Sequence, residues 1–131
     1  MRIFLDDGAG VRELTDGAQP TIRVSASDLQ RARRVRSRIR SGPGSAAVIL
    51  DVTVAVARDF RAACGAFDAS SADTVRYAGN LAGLVGLIGD IESAGVADGV
   101  TLIAASAQQD LDRIGRDVLG ALTARGQARA S

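Results

Sequence analysis

The side chains in this sequence that could do chemistry are mainly arginines, aspartates and serines. All 16 basic residues are arginine, so the chain contains neither lysine nor histidine. Without histidine it lacks the commonest general base and the commonest metal ligand. Without lysine it cannot form a Schiff base or use the lysine of a Walker-type phosphate loop. The sequence therefore predicts no metal site and assigns a catalytic role to no residue.

The densest charge lies between residues 23 and 40, where seven arginines accompany one aspartate, a local charge of +6. The other residues hold nine arginines and fourteen acids, a charge of −5, which restores the net +1 of the chain. Contact of Arg31, Arg34 and Arg38 with the phosphates of a nucleic acid is one interpretation. The arginines surround the exposed arc of the helix without interleaved aromatic residues, which favours a solvated, salt-bridged face over nucleic-acid binding.

Two other places in the sequence predict contact with a ligand. Gly79 and Asn80 stand between a strand and a helix, where free backbone N–H groups can hold an anion. The alternative there is an ordinary turn with Asn80 as the helix N-cap. Asp51 lies within an otherwise apolar strand, on its smaller face. It either lines a ligand pocket, with a raised pKa if buried, or it lies near solvent or pairs with an arginine.

The elements that must position these residues follow from the spacing of apolar residues. Strands are predicted at 1–5, 21–24, 46–57, 75–78 and 100–104, and helices at 27–40, 58–68, 81–94 and 110–125. Residues 8–20 are predicted to be a loop, and Ser27 is predicted to cap the first helix together with Gln30. Alternation within 46–57 places five aliphatic residues on one face and Asp51 on the other. Strands alternating with helices predict an α/β fold with parallel strands and right-handed crossovers.

The chain is expected to form one small α/β domain over residues 1–131, with an irregular segment at 1–26 and β/α units at 27–126. No stretch approaches the ~18 apolar residues of a membrane helix. Asp6 and Asp7 stand where a signal peptide needs its apolar core. We therefore expect a cytoplasmic protein without membrane contact. Of the four predicted helices, the one at 58–68 is interrupted by Gly65. The other three are too few to cover both faces of a parallel sheet, which predicts a homo-oligomer or a larger partner subunit.

Three short patterns also carry a resemblance to a known family. The sequence VRYAGNL at 75–81, the turn AGVADGV at 94–100 and the ending LTARG at 122–126 resemble the C-terminal part of luciferase-like flavin-dependent monooxygenases. The resemblance covers residues 28–126, and Asn80-Leu81 replaces the Thr/Ser-Pro of that family. It implies β/α units like the C-terminal part of a TIM-type barrel. The barrel is incomplete because most of its strands are absent.

The resemblance implies a function as well as a fold. It implies FMN or a deazaflavin contacting Gly79, Asn80 and Asp51, with monooxygenase-like oxidoreductase chemistry in an oligomer or with a partner. The alternative is a non-enzymatic assembly or regulatory protein of vestigial barrel ancestry, which the absence of histidine and of most barrel strands favours. Nucleic-acid binding through residues 31–40 is a second alternative.

Overall fold

The computed structural model describes residues 1–42, 44, 46–56, 74–106 and 109–126. The predicted helix at 58–68 lies outside the described residues. The described strands are β1 (Arg2–Asp6), β2 (Val11–Glu13), β3 (Thr21–Val24), β4 (Ala47–Val56), β5 (Val75–Gly79) and β6 (Gly99–Ala104). The described helices are α1 (Leu29–Arg40), α2 (Leu81–Ser93) and α3 (Leu111–Ala124).

The described strands form one sheet in the order β2-β1-β6-β4-β3, with β5 also paired to β4. Every described pairing is parallel except that of β1 with β2. On one edge of β4, β3 pairs with residues 47–50 and β5 with residues 52–56, while β6 occupies the other edge. The sheet is a curled, open half-barrel, compatible with part of a barrel. The predicted α/β class with parallel strands is confirmed.

The N-terminal segment is more regular than the sequence predicted. Within the expected loop at 8–20, β2 pairs antiparallel with β1, and β1 itself lies inside the sheet beside β6. The turn between them is fixed locally, because the Asp7 carboxylate accepts the N–H groups of Ala9 and Gly10 and Gly8 has a φ of 87°. The sequence did not predict β2 because it is a short edge strand. Val11 is half exposed, so the strand lacks the alternation of buried and exposed residues that indicates a strand.

One face of the sheet packs against the helices and forms the apolar core. The alternation predicted for β4 is confirmed, since Leu50, Val52 and Val54 point to this face and are fully buried. The strand and helix residues of the core include Ile3, Leu5, Leu50, Val52, Val54, Val100, Leu102, Leu84, Ile88, Ile91, Ile114, Val118 and Leu122. Helix α3 approaches β1 closely at Gly115, where an added Cβ would lie 2.9 Å from side-chain carbons of Leu5 and Leu14.

The ends of α1 and α2 are fixed by capping residues. Asp28, not Ser27, is the N-cap of α1, because its carboxylate accepts the N–H of Arg31 at 2.7 Å. Helix α2 ends within one residue of its predicted end and is followed by Gly95, whose φ is 68°. The N–H of Gly95 donates to Glu92 O and that of Val96 to Ile91 O, the two bonds of a Schellman motif.

Gly83 of α2 does not serve the purpose expected from the sequence. In the sequence, Gly83, Gly86 and Gly89 recur every three residues at a cost of ~1 kcal/mol each relative to alanine, which predicts the close approach of another backbone. Instead, a Cβ on Gly83 would overlap the hydroxyl of Tyr77, and a Cβ on Gly86 would meet no atom of the described structure within 4 Å. The prediction is therefore wrong at Gly83, which makes room for a side chain. At Gly86 no described atom approaches.

Candidate functional site

The face of the sheet opposite the helices carries polar side chains. We call it the inner face and define it by Asp6, Arg23, Asp51, Thr53 and Thr101. Asp51 on β4 lies directly beside Thr101 on β6 in the parallel register. Both are buried, with 9% and 1% of their surface exposed. Buried polar groups of this kind require hydrogen-bond partners, so these side chains depend on specific pairs.

Arg23 connects opposite sides of the inner face. Its Nε donates to Asp51 Oδ1 at 2.7 Å and its Nη2 donates to Asp6 Oδ2 at 2.8 Å. Strands β3 and β1 are three strand spacings apart, ~14 Å in a flat sheet, so a single side chain reaches Asp6 only because the sheet curls. The hydrogen bond to Asp51 raises the pKa of Arg23, and the N–H of Gly8 together with Arg23 lowers the pKa of Asp6.

A second arginine anchors the N-terminal hairpin. Arg2 donates from Nε and Nη2 to the two carboxylate oxygens of Glu13 at 2.8 and 2.7 Å, and from Nη1 to Gln19 O at 2.6 Å. The hydroxyl of Thr15 also donates to Glu13, and it accepts the N–H of Ile3. The hydrogen bonds from Arg2 hold the pKa of Glu13 below its usual range. These contacts are structural, since they close the hairpin on itself.

The carboxyl ends of the parallel strands meet at one edge of the sheet, and a cleft of about 470 Å³ lies there. We call it the edge cleft; it lies between the β1–β2 turn and the loop after β6. Its lining residues are Asp6, Asp7, Gly8, Ile103, Ala104, Ser106, Gln109 and Leu111. The Oγ atom of Ser106 is buried and has no hydrogen-bond partner among the described residues. A buried hydroxyl without a partner is uncommon, which makes Ser106 a candidate for contact with a ligand.

Gly79 and Asn80 lie at the same edge. Gly79 pairs with Val56, whose N–H donates to Gln109 Oε1 at 2.8 Å, so this turn lies near the edge cleft. The side chain of Asn80 accepts the N–H of Gly83 at 2.9 Å and thus acts as the N-cap of α2. That contact leaves at most the N–H groups of the first two helical residues for an anion.

The space beside Gly79 is already filled by a side chain. A Cβ on Gly79 would lie 2.5 Å from the hydroxyl of Tyr77, which donates to Asn80 O at 2.7 Å. Burial raises the pKa of that hydroxyl. Glycine at this position therefore accommodates Tyr77, whatever else the turn binds.

The structure does not bring Asp51 to Gly79 and Asn80. Asp51 lies five residues before Val56 on β4, ~16 Å along the strand from the pair that Val56 makes with Gly79. Through Arg23 it is instead joined to Asp6, which lines the edge cleft. The ion pair is the alternative that the sequence left open for Asp51.

The arginines of α1 fall into two groups. Arg31, Arg34 and Arg38 are exposed and make no ion pair within the described part of the chain, and the same holds for Arg33. Arg36 binds Asp98 at 2.9 Å, and Arg40 lies 3.9 Å from the same carboxylate.

Asp98 joins α1 to the strand that follows it. Besides Arg36, its carboxylate accepts the N–H of Val48 at 2.8 Å. Burial alone would raise the pKa of Asp98, but the hydrogen bonds from Arg36 and Val48 outweigh it and lower that pKa. In the sequence Asp98 indicated only a turn, because nothing there shows that α1 ends beside it.

Sequence reasoning missed the residues of the edge cleft. Ser106 and Gln109 follow a predicted strand, and the carboxyl end of a parallel strand is a signal that could have found them. Asp6 and Asp7 carried no such signal, because the parallel pairing of β1 with β6 is not visible in the sequence. Among the described residues, no group of three potential ligands could hold a metal ion, and no helix is long and apolar enough to cross a membrane.

Comparisons of the chain with protein-family models, with curated proteins and with solved structures gave no match.

Proposed function

We propose that this chain is a half-barrel domain of a luciferase-like, flavin- or deazaflavin-dependent oxidoreductase. It would complete its site with a second copy or with a larger partner subunit. The observation that supports the proposal is the edge cleft, because β/α barrels build their active sites at the carboxyl ends of their strands. The cofactor class comes from the resemblance of residues 28–126.

The residues at this edge offer contacts that suit parts of such a cofactor. The Ser106 hydroxyl and the Asp7 carboxylate would bind the hydroxyls and ring heteroatoms of a flavin. The carboxylates of Asp6 and Asp7 would repel a phosphate from the cleft, so its place would be the first turn of α2, after Asn80. The bound cofactor would supply the redox chemistry, and these residues would orient it.

The need for a second chain follows from how few loops form the cleft. The described lining comes from the β1–β2 turn and from the segment between β6 and α3. Barrel sites draw on the ends of several strands, and redox chemistry needs exclusion of water. Another half-barrel or a larger subunit at the open side of the sheet would supply the missing strand ends and would exclude water from the cleft.

The proposal is tested by titrating FMN, and separately a deazaflavin, into the purified protein while recording cofactor fluorescence. We expect binding that Ser106→Ala and Asp7→Asn weaken and that Asp90→Asn, a change at an exposed acid on α2, leaves intact. Light scattering across a size-exclusion peak then gives the mass of the cofactor-bound species, which should exceed one chain. Failure of the wild-type chain to take up either cofactor would reject the proposal.

A non-enzymatic assembly or regulatory protein is the second candidate. It is favoured because each residue predicted to hold a cofactor already has a partner within the chain: Gly79 adjoins Tyr77, Asn80 caps α2, and Asp51 binds Arg23. This candidate predicts a colourless species that takes up neither cofactor and still has a mass above one chain.

A further inference from the structure

We propose that the outer face of α1 binds the phosphate backbone of double-stranded nucleic acid through Arg31, Arg34 and Arg38. We call these three residues the arginine row. This inference is independent of the edge cleft and of any cofactor. It rests on three observations: which arginines of α1 are unpaired, how they are spaced, and what the rest of the helix surface lacks.

The arginines of the row are three of the four in α1 that make no ion pair with a described residue; the fourth, Arg33, lies about 100° from Arg34 around the helix. Arg36 and Arg40 are held near Asp98, whereas the three residues of the row are exposed and make no ion pair with any described residue. They lie in the segment 23–40, which carries a charge of +6. Internal ion pairs therefore neutralise one flank of α1 and leave the other with a positive potential that attracts polyanions.

The spacing of the row suits a regular array of phosphates. At 100° per residue the three side chains fall within an arc of about 60°, and at a rise of 1.5 Å per residue they span ~10 Å along the helix axis. One strand of a DNA duplex carries a phosphate every ~3.4 Å along its axis. The row can therefore contact about three phosphates along one strand, and arginine binds phosphate through two hydrogen bonds at once.

The rest of α1 disfavours the other partners that a basic helix can have. The row is bordered on one side by Gln30 and Ser37 and on the other by Val35, which is half-buried, so it lacks the apolar centre of a protein–protein interface. The apolar side of the helix, with Ala32 buried and Ile39 half-buried, faces the protein core and cannot enter a lipid surface. No aromatic residue occurs in α1, so the helix lacks the aromatic platforms on which single-strand binders stack bases, which favours a duplex.

Fluorescence anisotropy with a labelled DNA duplex of mixed sequence tests the proposal on the full chain. We expect the affinity to fall about 40-fold between about 50 and about 200 mM salt, the dependence expected for three phosphate contacts. The triple variant Arg31→Gln, Arg34→Gln, Arg38→Gln should lose this binding. The matched control Arg113→Gln, Arg116→Gln, Arg125→Gln removes the same charge from exposed arginines on and just after α3 and should keep most of it.

Three results would overturn the proposal. The first is a wild-type chain that does not bind the duplex at low salt. The second is a control variant that loses as much affinity as the row variant, which would show a response to net charge alone. The third is binding to vesicles containing an anionic phospholipid without binding to the duplex. Urea unfolding of both variants shows whether any loss arises from instability.

Discussion

The two faces of the same sheet are stabilised by different interactions. On β4, Leu50 faces the helices with 0% exposure, and its neighbour Asp51 faces inward with 9% exposure. Leu50 packs among aliphatic side chains, where stability depends on buried area and volume. Asp51 is stabilised by one named partner, Arg23, at hydrogen-bond distance. The helix-facing side therefore tolerates apolar exchanges of similar size, whereas the inner face depends on individual pairs.

Truncating the helix-facing side should have the largest effect. We expect Leu50→Ala to lower the free energy of unfolding by about 2–5 kcal/mol, because it removes buried area and leaves a cavity. The measurement is urea denaturation followed by circular dichroism. Ile22→Ala is the control, since Ile22 is 40% exposed on β3 and its loss should cost well under ~1 kcal/mol. Similar losses at both positions would show that the aliphatic face is not the main source of stability.

Breaking the ion pair of the inner face should cost less. We expect Asp51→Asn to lower the free energy of unfolding by about 1–3 kcal/mol, the range for a hydrogen bond to a charged group. The loss stays in this range because the Arg23 side chain is 39% exposed and can be solvated by water. The double variant with Arg23→Gln should cost less than the sum of the two single changes, because both remove the same interaction.

The exposed pair of Arg12 and Asp112 is the control for that cycle. Its side chains are 56% and 66% exposed, so its coupling energy should be below ~1 kcal/mol. Equal coupling energies in the two cycles would mean that burial on the inner face adds nothing to the Arg23–Asp51 pair.

The same contrast explains how much the sequence could predict. The spacing of Leu50, Val52 and Val54 predicted the strand, its faces and its burial, because apolar periodicity is local. The partner of Asp51 could not be predicted, because Arg23 lies 28 residues away and reaches it only through the parallel pairing of β3 with β4. The edge cleft was missed for a similar reason, since Asp6 joins it only when β1 lies beside β6.

The protein should also lose stability in acid, because three of its carboxylates accept hydrogen bonds in the folded state. The folded pKa values of Asp6, Glu13 and Asp98 are lowered, mainly by hydrogen bonds from Gly8, Arg2 and Arg36 respectively. A carboxylate with a lowered folded pKa stabilises the fold above its unfolded pKa, about 4, and loses that contribution as the pH falls through the folded value. We therefore expect the free energy of unfolding to decrease steadily below about pH 4.

A carboxylate substitution identifies the source of this acid dependence. Glu13→Gln should lower stability at neutral pH and flatten the decrease in acid, because the ion pair with Arg2 is already lost. Asp16→Asn changes an exposed acid of the same hairpin and should keep the wild-type slope. The measurement is urea denaturation across the acid range. An unchanged slope in Glu13→Gln would show that the Arg2 contact does not govern the response to pH.

The smallest expected effect on stability comes from replacing two glycines of α2, on the helix side of the sheet, with alanine. Gly86→Ala should raise the free energy of unfolding by up to ~1 kcal/mol, because alanine favours the helix and the new Cβ meets no described atom within 4 Å. Gly83→Ala should give no such gain, because its Cβ would displace the Tyr77 hydroxyl from its hydrogen bond to Asn80 O. Introducing Gly83→Ala in a Tyr77→Phe background removes the overlapping hydroxyl and should recover part of the gain. If Gly83→Ala stabilises the wild-type chain as much as Gly86→Ala does, then Tyr77 moves freely, and packing on this side is governed by apolar area rather than by fit.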